Sequence, residues 1–176
     1  MAVYEFEGKV PTIGKGTYLF ESADVIGDVS IGEGCYVGPG ARIRGDYGTI
    51  VIGDGTAIED NCVLHARPGE RLEIGKMVTI GHGAIIHNCT LKDFALVGMG
   101  AVVSDYAVVH EWAVVGEGAV VKNKQVIPPK SIVVGVPAKQ VAEVTPEYIA
   151  QWKEFKGIYR TLAEKRYPEG LRRSDG

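Results

Sequence analysis

The sequence predicts a parallel β-helix, a prism of short strands wound into coils, and three features of the chain point there. Twenty aliphatic residues recur at a nearly constant interval of six, from Ile13, Leu19, Val25, Ile31, Val37 and Ile43 through to Val121, Ile127 and Val133. A helix repeats near 3.6 and a two-sided strand at 2, so neither produces a six. A hexapeptide giving one short strand and one corner does, and three of them close a triangular coil of about eighteen residues. Each repeating aliphatic then points into the prism and stacks on its equivalent ~4.8 Å along the axis. The residue two before it is small or β-branched (Val29, Thr56, Ala84, Ala95, Ala101, Ala107), and the residue after it is often Gly (Gly14, Gly32, Gly53, Gly81, Gly98), as a corner of positive φ would need.

The elements follow in order. Residues 1–12 read as a lead-in strand and 13–139 as the β-helix, six or seven coils long. Pro128-Pro129 and Gly135-Val136-Pro137 lead the chain out of the prism, and 140–176 form a helix and tail. Thr145-Pro146-Glu147 reads as an N-cap, a proline at the first helical position and an acid in the first turn. Tyr148, Trp152, Phe155, Tyr159 and Leu162 follow as one apolar stripe, which must pack on the prism or on a neighbouring subunit. Tyr167-Pro168-Glu169-Gly170 ends the helix.

Composition excludes several classes. A net charge of -3 with no basic stripe argues against nucleic acid. No apolar run is long enough for a membrane span, and the first residues do not resemble a signal peptide, so a cytoplasmic protein is expected. Cys35, Cys62 and Cys89 each precede an aliphatic by two and fall on three different faces. They read as prism filling, with neither disulfide nor metal role.

The rhythm breaks in three places, and these cluster. Ile43 to Ile52 carries three extra residues, Leu64 to Ile74 carries four, and Ile86 to Leu91 is one short. Counting faces from Ile13, Ile43, Leu64 and Ile86 all fall on the third face in successive coils. Arg44, His65 and His87, which follow them, therefore form a column on one edge. Two histidines one coil apart suggest a metal pair, with His82 the candidate third ligand. Five extended residues separate His82 from His87, roughly 16 Å at ~3.3 Å per residue, against zinc–nitrogen bonds of ~2.0–2.1 Å. Either His82 is no ligand to that site or it serves a metal held by the next subunit, as a threefold arrangement of prisms would allow. His110, on another face, reads as a surface residue.

These blocks resemble the γ-class carbonic anhydrase family of left-handed β-helix proteins. The resemblance runs over nearly the whole chain and is carried by Ile43-Arg44-Gly45-Asp46, by Glu59-Asp60-Asn61-Cys62-Val63-Leu64-His65, by Ile80-Gly81-His82 through His87-Asn88-Cys89, and by Gly135-Val136-Pro137-Ala138-Lys139. It lies nearest the short branch that includes proteins associated with phenylacetate degradation and others called ferripyochelin-binding. The resemblance implies left-handed winding and a homotrimer with a metal site at each interface. His65 and His87 of one subunit and His82 of the next would hold zinc, or alternatively iron or cobalt. It further implies that zinc hydroxide attacks carbon dioxide to give bicarbonate. Arg44 and Asp46 match ion-pairing residues near the interface, Asp60 an acid that binds the arginine or a water, and Tyr159 a tyrosine near the metal. Glu59 stands where the active archetype has Gln, Ala57 where it has Asn. The 66–73 loop lacks that archetype's long acidic segment, leaving Glu70 and Glu73 as its acids.

Two other classes fit the same prism. Hexapeptide proteins transfer acyl groups from coenzyme A with an interface histidine as base, and a metal-assisted acyl-CoA thioesterase would use the same hydroxide. A non-catalytic trimer that keeps the metal for stability is the third reading.

Overall fold

The computed structural model describes residues 2–174. They form a left-handed parallel β-helix of about seven turns closed by a C-terminal helix. Seven strands of the second face, from Tyr18–Leu19 to Ser131–Val134, stack into one sheet, extended by the antiparallel Lys139–Glu143. The first and third faces join into one path because Arg42–Ile52 is a single long strand that turns a corner. It pairs with Val63–His65 at its start and with Arg71–Ile74 at its end.

The predicted interior is the observed one. Ile43, Ile58, Leu64, Ile80, Ile86 and Leu91 are wholly buried, with Ala84, Ala95, Ala101 and Ala107 between them. All three cysteines are free and buried, and burial pushes the Cys62 thiol up to about 12, so it packs as a small apolar group.

The glycines correct the expectation of positive φ. Those that follow the aliphatics lie outside the left-handed region. They are needed because the corners of successive coils nearly touch: a Cβ on Gly98 would sit 2.6 Å from the Glu117 nitrogen, and one on Gly53 2.6 Å from the Gly75 carbonyl carbon. Positive φ falls two residues later, at Gly34, Gly55, Gly83 and Gly100, and also at Met77, Phe94 and Trp112.

Helix α1 (Pro146–Thr161) starts as expected, with the Thr145 hydroxyl accepting the Tyr148 N–H at 3.2 Å. It continues through a π-helical segment, Leu162–Arg166, into α2 (Tyr167–Gly170). The expected stripe needs revision. Phe155 is exposed, and Lys156 lies at the centre of the packed face with its amine bonded to the Thr79 hydroxyl at 3.0 Å. Tyr148, Trp152, Tyr159, Ala163 and Tyr167 complete that face against the second sheet. Ala57 lies buried in the aromatic cluster beside Tyr36 and Ala163. No helix among the described residues is long and apolar enough to cross a membrane.

Candidate metal centre

Strand register builds the column that the sequence implied. Arg44 pairs with His65, and His65 with His87, in adjacent parallel strands. Side chains from equivalent positions of neighbouring strands emerge together, so the two imidazoles meet with His65 Nδ1 3.2 Å from His87 Nε2.

The other nitrogen of each ring faces a carboxylate. His65 Nε2 lies 3.0 Å from Asp46 Oδ1, and His87 Nδ1 hydrogen-bonds Asp105 Oδ1. Arg44 pairs with Asp46, and Arg67 with Asp105 at 2.7 Å. Burial acts to raise both carboxyls, but the bonds to Arg44 and His65, and to His87 and Arg67, outweigh it and hold both below the usual carboxylate range. The two facing imidazoles fit a divalent ion as two of its ligands, with the others supplied from outside this chain. In the neutral tautomers that donate N–H to these carboxylates, each ring aims a lone pair into the shared 3.2 Å gap. A proton on either facing nitrogen makes this approach an N–H···N hydrogen bond, and with both lone pairs turned inward it suits a shared cation. Two nitrogens on one tetrahedral zinc, each bound at ~2.0–2.1 Å, would stand about 3.3 Å apart. The carboxylate behind each ring is the usual support for a metal-ligating imidazole.

His82 belongs to a different edge. The residues from Gly81 to Ala84 turn a corner, with Gly83 at φ 70°, so the straight-strand estimate overstated the span to His87. The side chain nonetheless engages the coil beneath it: Nε2 is 3.0 Å from Glu59 Oε2, and Nδ1 3.4 Å from Asp60 Oδ2. Its imidazole is 49% exposed, against 15% for His65. Among the described residues of one chain, no three His, Cys, Asp or Glu groups are placed to hold an ion.

The remaining expected residues divide between the two edges. Arg44 and Asp46 stand at the His65 edge as one pair within the chain. Glu59 is buried and also accepts the His82 backbone N–H at 3.2 Å. Asp60 faces His82, and no bond joins it to Arg44. Tyr159 faces Glu59 from the helix; burial first, then that contact, pushes its phenol well above the usual range. Glu70 accepts from the Tyr106 hydroxyl at 2.8 Å and from the Asn88 side chain, next to His87. Glu73 lies exposed on a strand beside Thr90. Asp105 and Arg67 were missed. Ile86 pairs with Val103, so continuing the column one coil beyond His87 leads to Ser104 and then Asp105.

The comparisons with known proteins agree with the fold. A family profile described as bacterial transferase hexapeptide (six repeats) matches residues 11–45. The hexapeptide transferase family protein of Anaplasma phagocytophilum superposes with a TM-score of 0.88 at 34% identity, over 92% of this chain and 96% of its own. PerB of Caulobacter crescentus, solved with CoA and GDP-perosamine, is more distant, with a TM-score of 0.61 and 26% identity over 74% of this chain and 58% of its own. The class is thus the hexapeptide-repeat left-handed β-helix. The carnitine operon protein CaiE of Citrobacter koseri is 41% identical over 155 residues, which are 88% of this chain and 78% of that protein. The chain belongs to the CaiE family.

Proposed function

We propose that the chain forms a homotrimer in which His65 and His87 of one subunit and His82 of the next hold a divalent ion, and that this centre hydrolyses acyl-CoA thioesters. The observation that carries the reading is the 3.2 Å approach of His65 Nδ1 to His87 Nε2 with a carboxylate behind each ring. A divalent ion with an open position lowers the pKa of a bound water toward ~7 and polarises a carbonyl oxygen.

The chain's own residues supply the rest. Asp46 and Asp105 hold the two rings in the ligating orientation. Arg44 and Arg67 flank them with half-exposed guanidinium groups that suit an anionic substrate. Glu59, enclosed by His82 and Tyr159, is a proton acceptor at the opposite edge, and Glu70 is another beside His87. In the overall reaction the water oxygen bonds the carbonyl carbon and the C–S bond breaks. The thiolate takes a proton, and the acid product gives one up.

Support for a CoA thioester comes from the CoA held by PerB, while the transferase naming of the Anaplasma neighbour favours group transfer, the alternative to hydrolysis. Carbon dioxide hydration, implied by the resemblance, is the second reading, favoured by the same histidine pair. Glu59, Ala57 and the short 66–73 loop are where the chain departs from it. Hydrolysis of acetyl-CoA and hexanoyl-CoA, and hydration of carbon dioxide, should be assayed on zinc-, iron- and cobalt-loaded protein with and without chelator. Thioester hydrolysis that disappears with chelator and in His87→Ala is expected. Acyl transfer to an amine that survives removal of all metal would replace this reading with a histidine-base acyltransferase.

A further inference from the structure

A groove of about 360 Å³ runs between helix α1 and the outward side of the second sheet. That volume lies within the ~300–1,000 Å³ of small-molecule sites and far exceeds what carbon dioxide needs. Leu96, Met99, Val114 and Ile132 line one side, with Tyr148 and Trp152 on the other. One end opens on Glu59 and His82, the half of the centre that faces the next subunit. The lining strands are the successive rungs beginning at Thr79, Leu96, Val114 and Ser131, three steps of ~4.8 Å, so the groove is roughly 14 Å long.

We infer that this groove takes the apolar acyl chain of the substrate, with the carbonyl end at His82; the inference rests on the thioester reading above. Three observations converge. The lining is predominantly aliphatic and aromatic. Its polar groups keep to the margin: Thr79, Glu59 and His82 stand at the first rung, and Glu117, which takes the position of His82 two coils further on, lies beside Tyr148. Among the described residues no lysine or arginine lines it, and the Lys156 amine lies behind the lining, buried and bonded to the Thr79 hydroxyl, so a chain ending in a carboxylate would meet Glu59 and Glu117 before any free partner. The acyl group selected is therefore of medium length, uncharged and apolar. The phosphates of coenzyme A lie outside, toward Arg44 and Arg67 of the adjoining subunit.

Two measurements test this, and they separate the groove from the chemistry. On the metal-loaded protein, kcat/KM for hexanoyl-CoA should exceed that for acetyl-CoA, and that for adipoyl-CoA, by about tenfold or more. The hexanoyl-to-acetyl ratio should collapse toward one in Ile132→Phe. Val134→Phe, on the exposed rim of the same groove, gives the same reading if the first variant does not fold. Binding of neutral alkyl amides from butanamide to octanamide should be followed through Trp152 fluorescence in a Trp112→Phe background. Affinity should rise about three- to fourfold per methylene, and Val134→Phe should abolish the trend. Chain-length-dependent amide binding without turnover of any thioester would uphold the groove and discard the thioester reading. Thioester turnover with no preference for chain length, or amide binding that ignores it, overturns the groove.

Discussion

The two edges of the prism carry the same residue type in opposite ways. His65 and His87 leave the ends of adjacent parallel strands, so the strand spacing itself sets their separation, and a carboxylate–arginine pair holds each ring from behind. His82 leaves a corner between strands, half in solvent, and both nitrogens face carboxylates of its own chain. Strand positions preorganise a pair of ligands at no further cost, because the backbone ladder already fixes them. A corner position stays adaptable and presents its ring outward. The proposed shared centre would use that division, with one chain holding most of the site and its neighbour completing it.

The largest effect should follow removal of a strand ligand. His87→Ala or His65→Ala should abolish tight zinc binding while leaving the thermal transition of the apo protein nearly unchanged, since neither ring packs in the prism interior; isothermal titration and circular dichroism check both halves. His82→Ala should weaken binding less but still leave only two protein ligands. If it binds zinc as tightly as the wild type, the contrast between edges fails.

A smaller loss isolates the supporting carboxylates. Asp105→Asn keeps size and shape but presents an amide to the His87 ring, and it should weaken zinc binding ~10–100-fold. Asp60→Asn, beside the exposed His82 at 3.4 Å, should cost less. Competition with a chromophoric chelator resolves the two, and equal losses would mean that the carboxylates act only through net charge.

An oppositely signed effect, read in folding stability and not in metal binding, concerns the helix behind the His82 edge. Burial lowers Lys156 from 10.5 to about 7. Between those values the unfolded chain binds more protons than the folded one, so stability should rise with pH from about 7 to 9. Lys156→Met removes the buried amine and should flatten that slope. Near pH 7 it should stabilise by about 2–4 kcal/mol, after allowance for the lost Thr79 bond. Urea unfolding at pH 7 and pH 9 reads both quantities, and an unchanged slope would place the amine in contact with water.

Much of this architecture was legible because a six-residue period leaves only one way to bury the aliphatics, and counting around the triangle then aligns Arg44, His65 and His87. What escaped depends on contacts between coils that no short spacing encodes. Asp105 sits in an ordinary hexad, and only extending the histidine column by one coil brings it to His87. Lys156 was passed over because a lysine inside an aromatic stripe reads as a solvated position, whereas Thr79, seventy-seven residues earlier, gives its amine a buried partner. The corner glycines were assigned the wrong reason, since the close approach of successive turns is a property of stacking and not of local conformation.

The division of the site between subunits is tested most directly by complementation. His82→Ala and His65→Ala chains, each alone, should leave every centre with two histidines. Refolded together in equal amounts, about a quarter of the interfaces of random trimers join an intact His65–His87 pair to an intact His82. Zinc titration of mixed trimers, verified by native mass spectrometry, should recover tight sites in about that proportion. Mixed trimers that form and bind no more zinc than either parent would contradict a shared centre.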